Sequence, residues 1–133
     1  MAKKRTALIV DDEPDLRTLL AVLLEGEGWA TLEAEDGEQA VLLAAREQPD
    51  LVLLDVMMLG KDGFEAYREL KRDFRTAHIP VIFLSAINEY DLSEHHSVES
   101  IGRRLSVPAP EGFIEKPFDA ETVRGTLARI FGE

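Results

Sequence analysis

Three short apolar runs constrain this chain more than any other feature: Ala7-Leu8-Ile9-Val10, Leu51-Val52-Leu53-Leu54 and Val81-Ile82-Phe83-Leu84. None contains a polar position, so an extended chain there has no face to show to water. Runs of strand length with apolar residues at every position are the pattern of strands covered on both sides, which is the situation in a parallel sheet. Two weaker runs, Ala30-Thr31-Leu32-Glu33-Ala34 and Gly112-Phe113-Ile114-Glu115, read as further strands.

Helical patterns separate them. Leu16, Leu19, Leu20 and Leu23 recur at helical spacing, with Pro14 suited to a first turn and Gly26 or Gly28 to a stop. After Asp36-Gly37, a second helix turns Ala40, Leu43 and Ala44 inward, and a third uses Phe64, Tyr67, Leu70 and Phe74. Asp91-Leu92-Ser93-Glu94 resembles a capping box, with Val98, Ile101 and Leu105 as the stripe of a fourth helix. A fifth starts near Asp119 and faces inward through Val123, Leu127 and Ile130. Five strands alternating with five helices predict a doubly wound α/β sheet in one domain, residues 1–133.

Composition narrows the function. Lys+Arg number 15 against Asp+Glu 26, a formal net charge of −11, which argues against direct nucleic-acid binding. With no cysteine, disulfides, thiolate metal sites and a cysteine nucleophile are excluded. No apolar run reaches the ~18–20 residues of a membrane span, and the expected location is the cytoplasm.

Ligands of an open parallel sheet bind beyond the carboxyl ends of its strands. There stand Asp11 and Asp12 after the first run, Asp55 after the third, Ser85 after the fourth and Lys116 by the fifth. Three clustered carboxylates repel unless a cation sits among them, and hard oxygen donors with room for water suit Mg²⁺. Lys116 offers a point charge for an anion and Ser85 a hydroxyl donor. Such a set supports attack of a carboxylate on phosphorus. Asp55, single at the middle strand, suits the nucleophile, while the Asp11-Asp12 pair suits a metal. Taken singly, each has an ordinary reading: Asp-Asp-Glu-Pro as a helix start, Asp55 as a turn or cap, Lys116-Pro117 as a solvated turn. Only the joint arrangement points to chemistry.

These residues resemble the receiver domain of two-component response regulators over essentially the whole chain. The stretches that carry the likeness are Leu8 to Glu13, Pro49 to Met58, Asp62 to Glu65, Pro80 to Ala86 and Phe113 to Phe118. The resemblance implies a flavodoxin-like receiver fold with strand order 2-1-3-4-5 and Asp55 as phospho-acceptor. It implies Mg²⁺ held by Asp11, Asp12, Asp55 and the main-chain carbonyl of Met57. Ser85 becomes the switch hydroxyl, Lys116 its cationic partner and Phe113 the aromatic switch position; Lys116-Pro117 is usually cis in the family. Implied partners are a sensor histidine kinase or phosphotransfer protein, and a downstream protein met through the fourth-helix and fifth-strand surface. The domain then catalyses only its own phosphorylation and dephosphorylation. Little sequence follows the Lys116 strand beyond one helix, the expectation for a stand-alone or excised receiver.

Two departures stand out. Leu59 occupies a loop position where the family often has proline, and the interval between Ser85 and Lys116 is longer than usual. Among other classes, an aspartate-nucleophile phosphohydrolase wants a second acid where Met57 stands. A degenerate receiver acting by contact alone would lack part of the acid pocket. A flavin or nucleotide binder would need a phosphate loop after the first strand. His95-His96 are adjacent and so do not face one way on a helix. Trp29 reads as a staple under the second strand, Met57 and Met58 as packing, and Lys3-Lys4-Arg5 as a solvated start.

Overall fold

The computed structural model describes residues 4–56, 63–86 and 107–132. Five parallel strands, β1 (Thr6–Val10), β2 (Ala30–Ala34), β3 (Leu51–Asp55), β4 (Val81–Ala86) and β5 (Gly112–Lys116), form one sheet of order 2-1-3-4-5. Four helices are described: α1 (Pro14–Gly26), α2 (Gly37–Glu47), α3 (Gly63–Arg72) and a C-terminal α4 (Ala120–Phe131). The expected fifth helix is the C-terminal α4, and the expected fourth, with Asp91, Val98, Ile101 and Leu105, lies outside the described residues. So do Met57, Leu59 and the histidine pair.

The apolar runs are buried on both faces because alternate residues supply two separate cores. Leu8, Val10, Val52, Leu54, Val81 and Phe83 pack with Ala40 and Ala44 of α2 and Ala66, Tyr67 and Leu70 of α3. Their neighbours Ala7, Ile9, Leu51, Leu53, Ile82, Leu84 and Ile114 pack with Leu20 and Leu24 of α1 and Val123 and Leu127 of α4. This period of two explains why no run could tolerate a polar residue. On the first face, Phe83 is ringed edge-to-face by Tyr67, Phe113 and Phe64, with centroids at 4.9, 5.5 and 5.7 Å.

Helix ends follow local chemistry. Pro14 opens α1, and the side chains of Asp36 and Asp119 accept from the main-chain N–H of Gln39 and Thr122, capping α2 and α4. Gly28 sits at φ +90°, where a side chain would be strained, and turns the chain into β2.

Three expectations are corrected, and a fourth residue gains a partner. Leu19 is 44% exposed, because the sheet-facing stripe of α1 runs through Leu20, Ala21 and Leu24. The leucines of α1 spread over about 140° at 100° per residue, wider than the stripe that is buried, so spacing alone does not place the edge of that stripe. Phe74 is 89% exposed, because α3 ends at Arg72 and its periodicity ends with it. Trp29, read as a staple, is buried in the core under α1 and α4, where it also packs edge-to-face on Phe131 at 5.2 Å. Arg5 is not simply solvated: its guanidinium carbon lies 4.9 Å from the Phe131 ring centre and 5.9 Å from that of Trp29.

Candidate functional site

Strand register builds the site. Val10 pairs with Leu54 and Asp55 with Leu84, so Asp11 and Asp55 emerge side by side at the carboxyl edge. Both share sequence parity with the core residues under α1 and α4, as does Lys116, two positions beyond Ile114. Ser85 and Phe113 have the opposite parity, that of the core under α2 and α3. One pleat therefore gathers the charges on one side and the hydroxyl and aromatic on the other.

Contacts follow from that placement. Lys116 Nζ donates to Asp11 Oδ2 at 3.0 Å and to Asp55 Oδ2 at 3.2 Å. Asp11 and Asp55 are buried, and Asp11 Oδ1 accepts from the main-chain N–H of Glu13 at 2.9 Å. Burial works to lower the pKa of the Lys116 ammonium, but the Asp55 charge and the Asp11 hydrogen bond outweigh it, and the net shift is upward. The lysine therefore stays cationic. One ammonium nevertheless faces three acids, since single carboxylate oxygens of Asp11, Asp12 and Asp55 all lie within 4.8 Å of one another. That leaves an excess of negative charge in a partly desolvated site, which a divalent cation with oxygen preference would relieve. The donor set fits Mg²⁺.

Ser85 Oγ is buried and has no hydrogen-bond partner among the described residues. A buried orphan hydroxyl is uncommon, and an anionic group entering the site would supply the acceptor it lacks. Lys116-Pro117 is cis.

Two supports were not evident from the sequence. Arg17 Nη1 donates to the Asp11 main-chain oxygen at 2.7 Å while its Nε holds Glu33 Oε1 at 3.0 Å, tying α1 to the β1 turn and β2. Gly63 opens α3 directly against β3: a Cβ there would sit 2.2 Å from the Asp55 main-chain oxygen and 2.5 Å from Val56 Cα. Only glycine permits this approach. The signal was present, as a glycine at the start of a helix, but nothing local reveals what it touches. Asp11, Asp12, Asp55 and Lys116 thus converge, and Ser85 stands on the strand paired with β3. Phe113 lies against Phe83, beneath the hydroxyl-bearing strand. Met57 is outside the described residues.

The profile of the response regulator receiver domain family matches residues 7–128, and the chain belongs to that family. It is 37% identical over 123 residues to the protein PilH of Pseudomonas aeruginosa, covering 92% of this chain and 94% of PilH. It is 48% identical over 126 residues to the phosphate regulon transcriptional regulatory protein PhoB of the same species, covering 95% of this chain but 51% of PhoB. The chain thus spans about half of that relative's length. Among solved structures it resembles the receiver domain of the sensor histidine kinase PA1611 from Pseudomonas aeruginosa PAO1, which has a magnesium ion coordinated in its active site cleft. That match has a TM-score of 0.80 and 26% identity, and covers 98% of this chain and 100% of that one. Among the described residues no helix is long and apolar enough to cross a membrane.

Proposed function

We propose that residues 1–133 act as one receiver domain, a signalling switch that takes a phosphoryl group on Asp55 from a sensor histidine kinase, a phosphotransfer protein or a small acyl phosphate. The observation that carries this reading is the bridge of Lys116 to both Asp11 and Asp55 beside a third carboxylate, Asp12. Mg²⁺ would be held by Asp11, Asp12, Asp55 and the Met57 main-chain carbonyl. Such an ion, when bound, offsets the charge of the phosphoryl oxygens near an anionic nucleophile.

The remaining work belongs to the chain. A carboxylate oxygen of Asp55 attacks phosphorus, the bond from phosphorus to the donor breaks, and the donor atom keeps the electron pair. Lys116, held at the right place by Asp11, offsets charge on the incoming group. The Ser85 hydroxyl, lacking a partner before transfer, donates to a phosphoryl oxygen after it. Its movement then alters the room available to Phe113, which passes the change to a downstream protein. The domain promotes only its own phosphorylation and dephosphorylation and makes no direct contact with DNA. Its donors are charged in the cytoplasm, and the proposed reaction belongs there.

Intact mass after incubation with Mg²⁺ and acetyl phosphate tests the reading. One added phosphoryl group is expected for the wild type, none for Asp55→Asn and none for the wild type in EDTA. Equal uptake by Asp55→Asn overturns it.

A further inference from the structure

Outside the acid pocket, one half-buried arginine has a buried donor atom without an acceptor among the described residues. Between α2 and the end of α3 lies a groove of ≈ 460 Å³ lined by Val41, Arg68, Glu69, Arg72, Asp73 and Phe74. Arg68 Nε is buried there with no hydrogen-bond partner among the described residues. A guanidinium N–H removed from water without an acceptor is costly, and acceptors that suit its planar fork are carboxylates and phosphates.

The groove's own acids do not meet the need. Asp73 is already taken by Arg75, which donates through Nη2 at 2.8 Å, Nε at 3.1 Å and its main-chain N–H at 2.9 Å. Glu69 has an interaction of its own. Residues 68–75 carry four cations (Arg68, Lys71, Arg72, Arg75) against two acids, in a chain where 15 cations face 26 acids. This is a local basic spot on an acidic molecule. Beside it Phe74 is 89% exposed, an unusual state for a phenylalanine, and Val41 adds apolar lining.

Charge and apolar contact together choose the occupant. A free phosphate would satisfy Arg68 but leave Phe74 in water. A nucleic acid, charged at every phosphate, would bring far more negative charge to a chain of net charge −11 than this small basic spot can offset, whereas a peptide can place one or two carboxylates on it. We propose that this groove docks an acidic peptide segment of a partner protein, with a carboxylate on Arg68 and Arg72 and an adjacent aliphatic or aromatic side chain on Val41 and Phe74. Arg68 stands five residues from the Gly63 end of α3, and Arg72 nine, so the groove is about 7–14 Å along the helix from Asp55. Docking here is separate from phosphoryl transfer.

The test is an NMR titration of the full chain with an acetylated heptapeptide of alternating glutamate and leucine. Saturable shifts at residue 41 and residues 68–74 are expected, with at least tenfold weaker binding when glutamine replaces glutamate in the peptide. Arg68→Gln and Phe74→Ser should each weaken binding by a similar factor. Phe74 is too exposed to matter for folding, and Arg68→Gln should keep its phosphoryl uptake. Asp55→Asn should bind as the wild type does, which separates this proposal from the one above. Unchanged affinity in Arg68→Gln or Phe74→Ser overturns the proposal. So do shifts elsewhere, or shifts that follow protein rather than peptide concentration, the mark of a second copy in the groove.

Discussion

The two faces of the sheet and its carboxyl edge are built to opposite standards. On the faces, every strand residue from Leu51 to Leu54 is fully buried among apolar neighbours, and two polar side chains close by, Thr76 and Lys71, are bonded to main-chain oxygens. The Thr76 hydroxyl donates to the Leu70 main-chain oxygen at 2.6 Å, and Lys71 Nζ to those of Ile79 and Ala77 at 3.0 and 3.1 Å. At the edge, Asp11, Asp55 and Ser85 are also buried, yet one ammonium serves two acids of a three-acid cluster and the hydroxyl has no partner among the described residues. Apolar packing is concentrated in the faces, and the edge holds acids in excess of the cation they share.

The largest effect should come from the faces. Leu53→Ala empties a fully buried position and should cost about 2–5 kcal/mol, read as a lower urea midpoint with little change in slope. A loss below 1 kcal/mol would mean that the core beneath α1 and α4 is loosely packed.

Next is the seam between face and edge. Gly63→Ala places a Cβ where the Asp55 carbonyl oxygen stands, so α3 must shift; the cost should be about 1–3 kcal/mol. Because the displaced group is the backbone of Asp55 itself, phosphoryl uptake should also slow, an effect that Leu53→Ala should not share beyond its loss of folded protein.

A smaller effect should come from Tyr67, whose hydroxyl donates to the Pro108 main-chain oxygen. Tyr67→Phe keeps the ring against Phe83 and should cost about 1 kcal/mol. Burial, aided by the Glu111 charge, raises the Tyr67 pKa far above 10.0. The unfolded chain then releases this proton near pH 10 while the folded one keeps it. That contribution to stability is complete below pH 10 and is lost as pH rises toward the folded value. Tyrosinate absorbance of the folded wild type at pH 10.5 should therefore match that of Tyr67→Phe, since Tyr67 adds nothing until unfolding. A greater signal in the wild type would place the Tyr67 hydroxyl in contact with water.

The smallest effect should have the opposite sign. Asp12→Asn relieves repulsion in the acid cluster and should stabilise the metal-free protein by a few tenths of a kcal/mol to about 1 kcal/mol. It should also reduce the rise in melting temperature on adding Mg²⁺. A lowered melting temperature without metal would show that Asp12 serves chiefly the helix that follows.

The sequence revealed the sheet because its signal is redundant. Every residue of the three apolar runs had to be apolar; the parity of the first two places Asp11 and Asp55 on one side, and Lys116 falls there too through its parity with Ile114 of β5. Asp12 joins them from the turn beyond β1. What stayed hidden depends on pairs distant in the chain. Arg17 to Glu33, Gly63 to Asp55 and Arg5 to Phe131 leave no local periodicity. Phe74 was misread for a related reason: the spacing from Leu70 continues helically, but the helix does not.

The most direct test of Asp55 as the acceptor is chemical trapping at the edge. Borohydride reduces an aspartyl phosphate to homoserine, so treatment of the phosphorylated protein followed by peptide mass mapping locates the acceptor. Conversion at position 55 alone is the expected result. Conversion at Asp11 or Asp12, or a phosphoryl group that resists borohydride on Ser85, would contradict it.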